Sequence, residues 1–191
     1  MKVVAINGSP RKEGNTFLML RTVLAEIERE KIETELISLA GLNLPGCTAC
    51  GRCKINRDRR CAVKNDDMNA CIAKLFEADG VLLGSPVHFG DLTPALKAVI
   101  DRSGYVSRAN DDVLKRKVGA AVVAVRRAGA LHAFDSINHF FLINQMIVPG
   151  SSYWNIGIGR EIGDVNSDAE GIETMKALGR NMAWLLSRVQ G

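Results

Sequence analysis

No stretch of this chain is apolar for long enough to span a bilayer, which takes about 20 consecutive residues. Nor does it open on a signal-peptide core. Met1-Lys-Val-Val-Ala-Ile-Asn-Gly8 offers four apolar residues in a row before polar and glycine positions intervene, too few for such a core. Charge of one sign is also scarce. Lys and Arg number 25 against 21 Asp and Glu, a net charge of +4, which argues against nucleic-acid binding across the whole surface. No internal repeat, low-complexity tract or linker interrupts the chain, and histidine occurs only three times. No Ser/His/Asp constellation suggests a protein nucleophile. The expectation is one domain over residues 1–191, cytoplasmic and free of membrane, burying roughly 70% of the surface its unfolded chain exposes.

What the chain does have is cysteine in an unusual pattern. Cys47-Thr-Ala-Cys-Gly-Arg-Cys53 sets three cysteines at intervals of three, and Cys61 completes a set of four within 15 residues. From Gly41 to Lys64 neither a strand period nor a helix period is sustained, so the segment at about 41–64 reads as an insert without regular structure. A loop that long inside a compact domain is usually functional or disordered, and in a reducing compartment clustered thiols read as a metal or redox site. Four-cysteine zinc sites usually take two close pairs parted by a longer spacer. Three thiolates in one tight run suit a cuboidal iron–sulfur cluster better. A [4Fe–4S] cluster on Cys47, Cys50, Cys53 and Cys61 is therefore the leading reading, with zinc, disulfides or free thiols as alternatives. Cys71 falls in the apolar stripe of a helix and reads as a small buried hydrophobe.

The rest alternates. Lys2–Ile6, Glu33–Ser38, Gly80–Gly84 and Val118–Val125 read as strands, the last as a central parallel strand covered on both faces. Met146–Val148 is the candidate for a fifth, while Tyr153–Gly159 is ambiguous. Helical periods follow Thr16 to Glu30, Asp66 to Glu77, Thr93 to Arg102, and the stretch bearing Phe134, Ile137, Phe140 and Phe141. A closing helix starts at Ser167-Asp-Ala-Glu170, which reads as a capping box. Strands alternating with helices give a doubly wound α/β sheet, whose ligands sit at the carboxyl ends of the strands. The loops after strands one to four all emerge there, so a ligand and the cysteine loop are expected to share one rim.

The first of those loops, Gly8-Ser-Pro-Arg-Lys-Glu-Gly-Asn-Thr16, joins a strand to a helix start and is a natural anion site. Ser9, Asn15 and Thr16 can add donors and Arg11 charge. It is neither a Walker A loop nor Gly-x-Gly-x-x-Gly; the plain alternative is a turn with Asn15 capping the helix. This loop resembles the FMN-phosphate loop of the flavodoxin-like NAD(P)H-dependent FMN reductases. Ser85-Pro-Val-His-Phe-Gly90, followed by Leu-Lys-Ala-Val-Ile-Asp-Arg102, is similar to the loop and helix beside their flavin ring. The Cys-x2-Cys-x2-Cys-x7-Cys insert narrows the resemblance to the iron–sulfur flavoproteins of that superfamily.

The resemblance implies a flavodoxin-like five-stranded parallel sheet of order 2-1-3-4-5, with the cysteine-rich loop after strand 2. It assigns Ser9, Arg11, Asn15 and Thr16 to the FMN phosphate. Pro86, Val87, His88, Phe89 and Gly90 would border the isoalloxazine, with Arg126, Arg127 and Gly129 on a third loop. Relatives usually carry tyrosine where His88 stands; here that histidine either hydrogen-bonds the ring or has no role. His132 and His139 read as surface or core residues. The implied activity is electron transfer with FMN and a [4Fe–4S] cluster, taking electrons from ferredoxin and passing them to a small-molecule acceptor, in a homodimer or homotetramer. The alternatives are an NAD(P)H-dependent FMN or quinone reductase without a functional cluster, and a redox sensor. Arg52, Lys54, Arg57, Arg59, Arg60 and Lys64 stand against a single acid, Asp58, and form a candidate docking patch for an acidic electron carrier.

Overall fold

The computed structural model describes residues 1–189. Its strands are β1 (Lys2–Asn7), β2 (Glu33–Ser38), β3 (Gly80–Pro86), β4 (Val118–Val125) and β5 (Ile156–Ile158). Its helices are α1 (Asn15–Arg29), α2 (Arg52–Asn56), α3 (Met68–Glu77), α4 (Pro94–Ala109), α5 (Ala130–Ile143) and α6 (Ala169–Val189). The strands form one parallel sheet of order β2-β1-β3-β4-β5, as the family resemblance implies. Strand order reverses between β1 and β3, and there the Gly8 N–H donates to Gly84 O at 2.8 Å.

The pleat explains the two layers, since alternate residues of a strand face opposite sides. Val3 and Ala5 of β1 pack with Leu20 and Leu24 of α1 and Leu178 and Met182 of α6. Val4 and Ile6 face the other side, among Leu75 of α3, Val99 of α4 and Ile137 of α5. All eight residues of β4 are buried, as expected for a strand covered on both faces. Cys71 is 1% exposed inside the second of these cores, and burial raises its thiol pKa. At Gly84 a Cβ would sit 2.7 Å from Leu20 Cδ1 and 2.9 Å from Thr16 Cγ2, so this glycine lets the start of α1 close onto β3.

Several expectations need correction. Met146–Val148 is not the fifth strand: Ile147 makes an isolated parallel bridge to Val118, and β5 is Ile156–Ile158, paired with the other end of β4. Three residues, one of them glycine, carry too little alternation to be read. The cysteine segment contains α2, which buries no residue and so leaves no apolar stripe to detect. Helix α4 runs past Arg102 to Ala109, because Ser103 and Val106 are buried and packing outweighs the roughly 1 kcal/mol cost of Gly104. The cap of α6 is Asp168, not Ser167. Asp168 Oδ1 accepts from Gly171 N at 3.0 Å and Oδ2 from Ile158 N at 2.7 Å, while Ser167 ends a 3-10 turn over Asp164–Ser167.

Candidate functional site

At the strand-order reversal the first loop, the β3 exit and the β4 exit enclose a cleft of about 220 Å³. Asn7, the fully buried last residue of β1, coils the loop: its Oδ1 accepts from Ser9 N at 3.1 Å and its Nδ2 donates to Lys12 O at 3.1 Å. Ser9 Oγ accepts from Arg11 N at 3.1 Å. No side chain caps α1 at Gly14, which leaves the first-turn N–H groups for a bound anion. Thr16 Oγ1 is buried without a hydrogen-bond partner, and Thr16 lines the cleft. A buried hydroxyl left unpaired is costly; a phosphate oxygen would pair it. Arg11, Arg126 and Arg160 all reach the cleft, so its charge suits a phosphate.

Of the residues assigned from the resemblance, Ser9, Arg11, Asn15, Thr16, Pro86, Val87, His88 and Arg126 line this cleft together. Asn15 does so with its side chain already committed: Nδ2 donates to Glu161 O at 2.8 Å and Oδ1 accepts from Gly163 N at 2.9 Å. It is not a helix cap. Its remaining contribution to an anion is its backbone N–H. Phe89 and Gly90 form the turn above the cleft, closed by His88 N to Asp91 O at 2.8 Å and Asp91 N to His88 O at 3.0 Å. Phe89 adopts φ 47° and is fully exposed, an uncommon conformation and setting for an aromatic residue. Gly129, at φ +87°, packs against this turn, where a Cβ would stand 3.1 Å from Gly90 Cα. Arg127 does not line the cleft, and His132 and His139 are exposed on α5.

Two ties the sequence did not reveal join the loops. Thr93 caps α4 by accepting from Leu96 N at 3.3 Å, and its hydroxyl donates to Gly8 O at 2.8 Å. Ser85 Oγ accepts from Thr93 N at 3.0 Å. The residue types were visible, but pairing Thr93 with Gly8 requires knowing that their strands are neighbours. Gly159 and Arg160 complete the cleft wall for the same reason, since they follow the β5 that could not be read.

The second site lies elsewhere. Cys47, Cys50, Cys53 and Cys61 line one cavity of about 250 Å³, with Arg102, Tyr105 and Val106 of α4 behind them. The cleft and the cavity have no lining residue in common. Arg102 stands roughly 14 Å along the helix axis from the Thr93 end. The cysteines thus sit against the flank of α4 rather than on the rim with the phosphate cleft, because the insert folds down the helix after leaving β2. Among the described residues no three His, Cys, Asp or Glu side chains converge closely enough to hold a single metal ion.

Local structure explains the cavity. Ala49, Gly51, Arg57 and Arg59 all take positive φ, so the insert coils tightly at some backbone cost. Asn69 anchors its far end, accepting from Cys61 N at 2.8 Å and donating to Cys61 O and Val63 O at 3.0 Å. The Arg52 N–H, then the Thr48 side chain, lower the Cys50 pKa, which favours the thiolate that binds metal. Burial raises that of Cys53. Arg102 Nη2 donates to Cys61 Sγ at 3.1 Å, and Asp66 pairs with the same guanidinium at 2.7 Å. Outside the cavity, Arg52, Arg60 and Lys64 line an adjoining depression of about 540 Å³ that reaches Cys61.

The model of the NADPH-dependent FMN reductase family matches residues 1–161. A protein of Methanocaldococcus jannaschii named iron-sulfur flavoprotein is 41% identical, covering all of both chains. An iron-sulfur flavoprotein of Methanosarcina thermophila is 32% identical over the whole of this chain and 97% of its own. The structure of an archaeal flavodoxin superposes with a TM-score of 0.63 at 18% identity, covering all of both chains, a likeness of fold.

Proposed function

The chain belongs to the iron–sulfur flavoproteins of the NADPH-dependent FMN reductase family, and from that premise we propose that it moves electrons between a one-electron carrier and a small-molecule acceptor, using FMN and a [4Fe–4S] cluster. It is an FMN-dependent oxidoreductase. When bound, FMN supplies two-electron chemistry and the cluster one-electron chemistry. The first loop takes the FMN phosphate through Ser9, the backbone N–H groups of Asn15 and Thr16, the Thr16 hydroxyl and Arg11. Pro86 to Gly90 border the ring, and Arg126 adds charge at the third loop.

The observation that carries this reading is that four cysteines, separated in sequence by two, two and seven residues, line one cavity. Three thiolates in one tight run suit a cuboidal cluster, whereas four-cysteine zinc sites usually take two close pairs parted by a longer spacer. Arg102 Nε, buried and without a partner, is one more donor available beside that cavity. Serine at Cys47, Cys50, Cys53 or Cys61 is expected to lower iron and sulfide content or alter the cluster spectrum, since thiolate suits iron better than a hydroxyl. Cys71→Ser is expected to keep a normal cluster and lose only stability. A cluster lost with Cys71 and retained without Cys61 contradicts the ligand set.

The partner fits the same picture. Arg52, Lys54, Arg57, Arg59, Arg60 and Lys64 are all exposed, and several border the cysteine cavity, where an acidic carrier such as ferredoxin would dock close to the cluster. The family description favours direct reduction of the flavin by NADPH, and a second reading joins this to cysteines that hold no functional cluster. Iron analysis separates the two. A reducing cytoplasm is the setting this reading requires, since the thiols must stay reduced to take iron.

A further inference from the structure

Arg102 is 1% exposed, although its guanidinium is always charged. Its Nη1 donates to Asp66 Oδ2 at 2.7 Å and to Pro45 O at 3.1 Å; its Nη2 donates to Cys61 Sγ at 3.1 Å and to Asp66 Oδ1 at 3.3 Å. The Asp66 side chain is equally buried. Such a pair is a weak source of stability, because desolvating both ions offsets their attraction and apolar replacements are often as stable. Stability alone therefore does not account for a guanidinium here. What an apolar residue could not supply is the charge-assisted N–H on the Cys61 sulfur. That contact differs from the one on Cys47, whose sulfur accepts from the exposed Ala49 N–H at 3.4 Å.

We propose that Arg102 is a positioning residue that fixes the Cys61 sulfur for the cluster and shifts the cluster's reduction potential upward. The inference rests on the [4Fe–4S] reading of the cysteine cavity. Asp66 grips the guanidinium on two oxygens and sets the direction of its remaining N–H groups; the Pro45 carbonyl ties the same group to the start of the insert. Arg102 sits on α4, a long helix packed into the core, so the sulfur is referenced to the rigid part of the fold rather than to the coiled loop. Reduction adds negative charge to the cluster and its thiolates. A donor on a ligand sulfur interacts more strongly with the reduced form, and hydrogen bonds to the sulfurs are among the terms that set such potentials.

Arg102→Met alone would strand Asp66 as a buried unpaired carboxylate, so the test uses the double variant Arg102→Met/Asp66→Asn, together with Arg102→Lys. FMN occupancy and circular dichroism report folding, and iron and acid-labile sulfide report the cluster. Its midpoint potential is read by anaerobic titration followed by electron paramagnetic resonance. The double variant is expected to fold and to hold FMN. Its cluster either titrates at a more negative potential than wild type or is lost, whereas Arg102→Lys lies between the two. A folded, FMN-loaded double variant whose cluster content and potential match wild type overturns the role of Arg102. Wild-type protein that takes up no iron and sulfide overturns the cluster reading instead, so the two failures are told apart.

Discussion

Thr16 carries the sharpest expectation at the scale of single residues. Its hydroxyl is buried and unpaired, a penalty of about 1–3 kcal/mol that a bound phosphate oxygen would remove. Thr16→Val should leave the FMN-free protein as stable as wild type or slightly more so, by urea unfolding. The same change should weaken FMN binding by about 1.5–3 kcal/mol, the range for a hydrogen bond to a charged group, by fluorescence titration. Arg11→Ala with Asn15→Ala should lower affinity further, the first by removing charge and the second by releasing the Glu161–Gly163 backbone that Asn15 holds. Lost stability with unchanged affinity in Thr16→Val contradicts the assignment. Ser9, Arg11 and Thr16 were legible because an anion loop needs small donors and a cation next to a helix start. Arg102 was not, since its burial depends on Asp66 and Cys61 meeting it across the fold.

At the scale of elements, what could be read was whatever the pleat and the helical stripe wrote into consecutive residues. β1, β3 and β4 are apolar runs, and α1, α3 and α6 have one buried face each. β5 and α2 are too short to carry a period, and both are set by contacts from distant parts of the chain. β5 is pinned by Val123 N donating to Asn155 O at 2.9 Å and by the Asp168 carboxylate on Ile158 N. Asp168 thus serves as the α6 cap and as a partner for β5. Asp168→Ala should destabilise the protein by about 1–2 kcal/mol, the upper part of the range for losing a cap, measured by urea unfolding without FMN. Asp168→Asn, whose single amide oxygen can keep only one of the two N–H partners, should recover part of the loss. Equal stability for wild type and Asp168→Ala contradicts this dual role.

For the molecule as a whole, positive charge is concentrated where the cysteines are. Arg57 pairs with Asp111 at 2.5 Å, but both are well exposed, and surface pairs contribute little. Asp111 offsets Arg57, but Arg52, Lys54, Arg59, Arg60 and Lys64 still outnumber Asp58 and keep the segment net positive. Reduction by an acidic ferredoxin should slow steeply with ionic strength, as the screening length shortens to about 8 Å near 0.15 M. Glutamine at Arg57, Arg59 and Arg60 should flatten that dependence and leave reduction by a small neutral donor unchanged. Equal rates at low and high salt, with or without the arginines, contradict docking there. Exposed Phe89, Leu131, Tyr153, Trp154, Ile158 and Ile162 are apolar surface that the homodimer or homotetramer implied by the family resemblance would cover.

The central claim is that one chain holds both a flavin and a cluster. Its most direct test is quantitative flavin, iron and acid-labile sulfide analysis of protein purified without oxygen, with a visible spectrum of the same sample. The account expects one FMN and about four iron and four sulfide per chain, as a [4Fe–4S] cluster requires. Loss of iron and sulfide in Cys61→Ser, with FMN retained, should accompany that result. Protein that carries FMN but binds zinc or no metal at the four cysteines contradicts the claim.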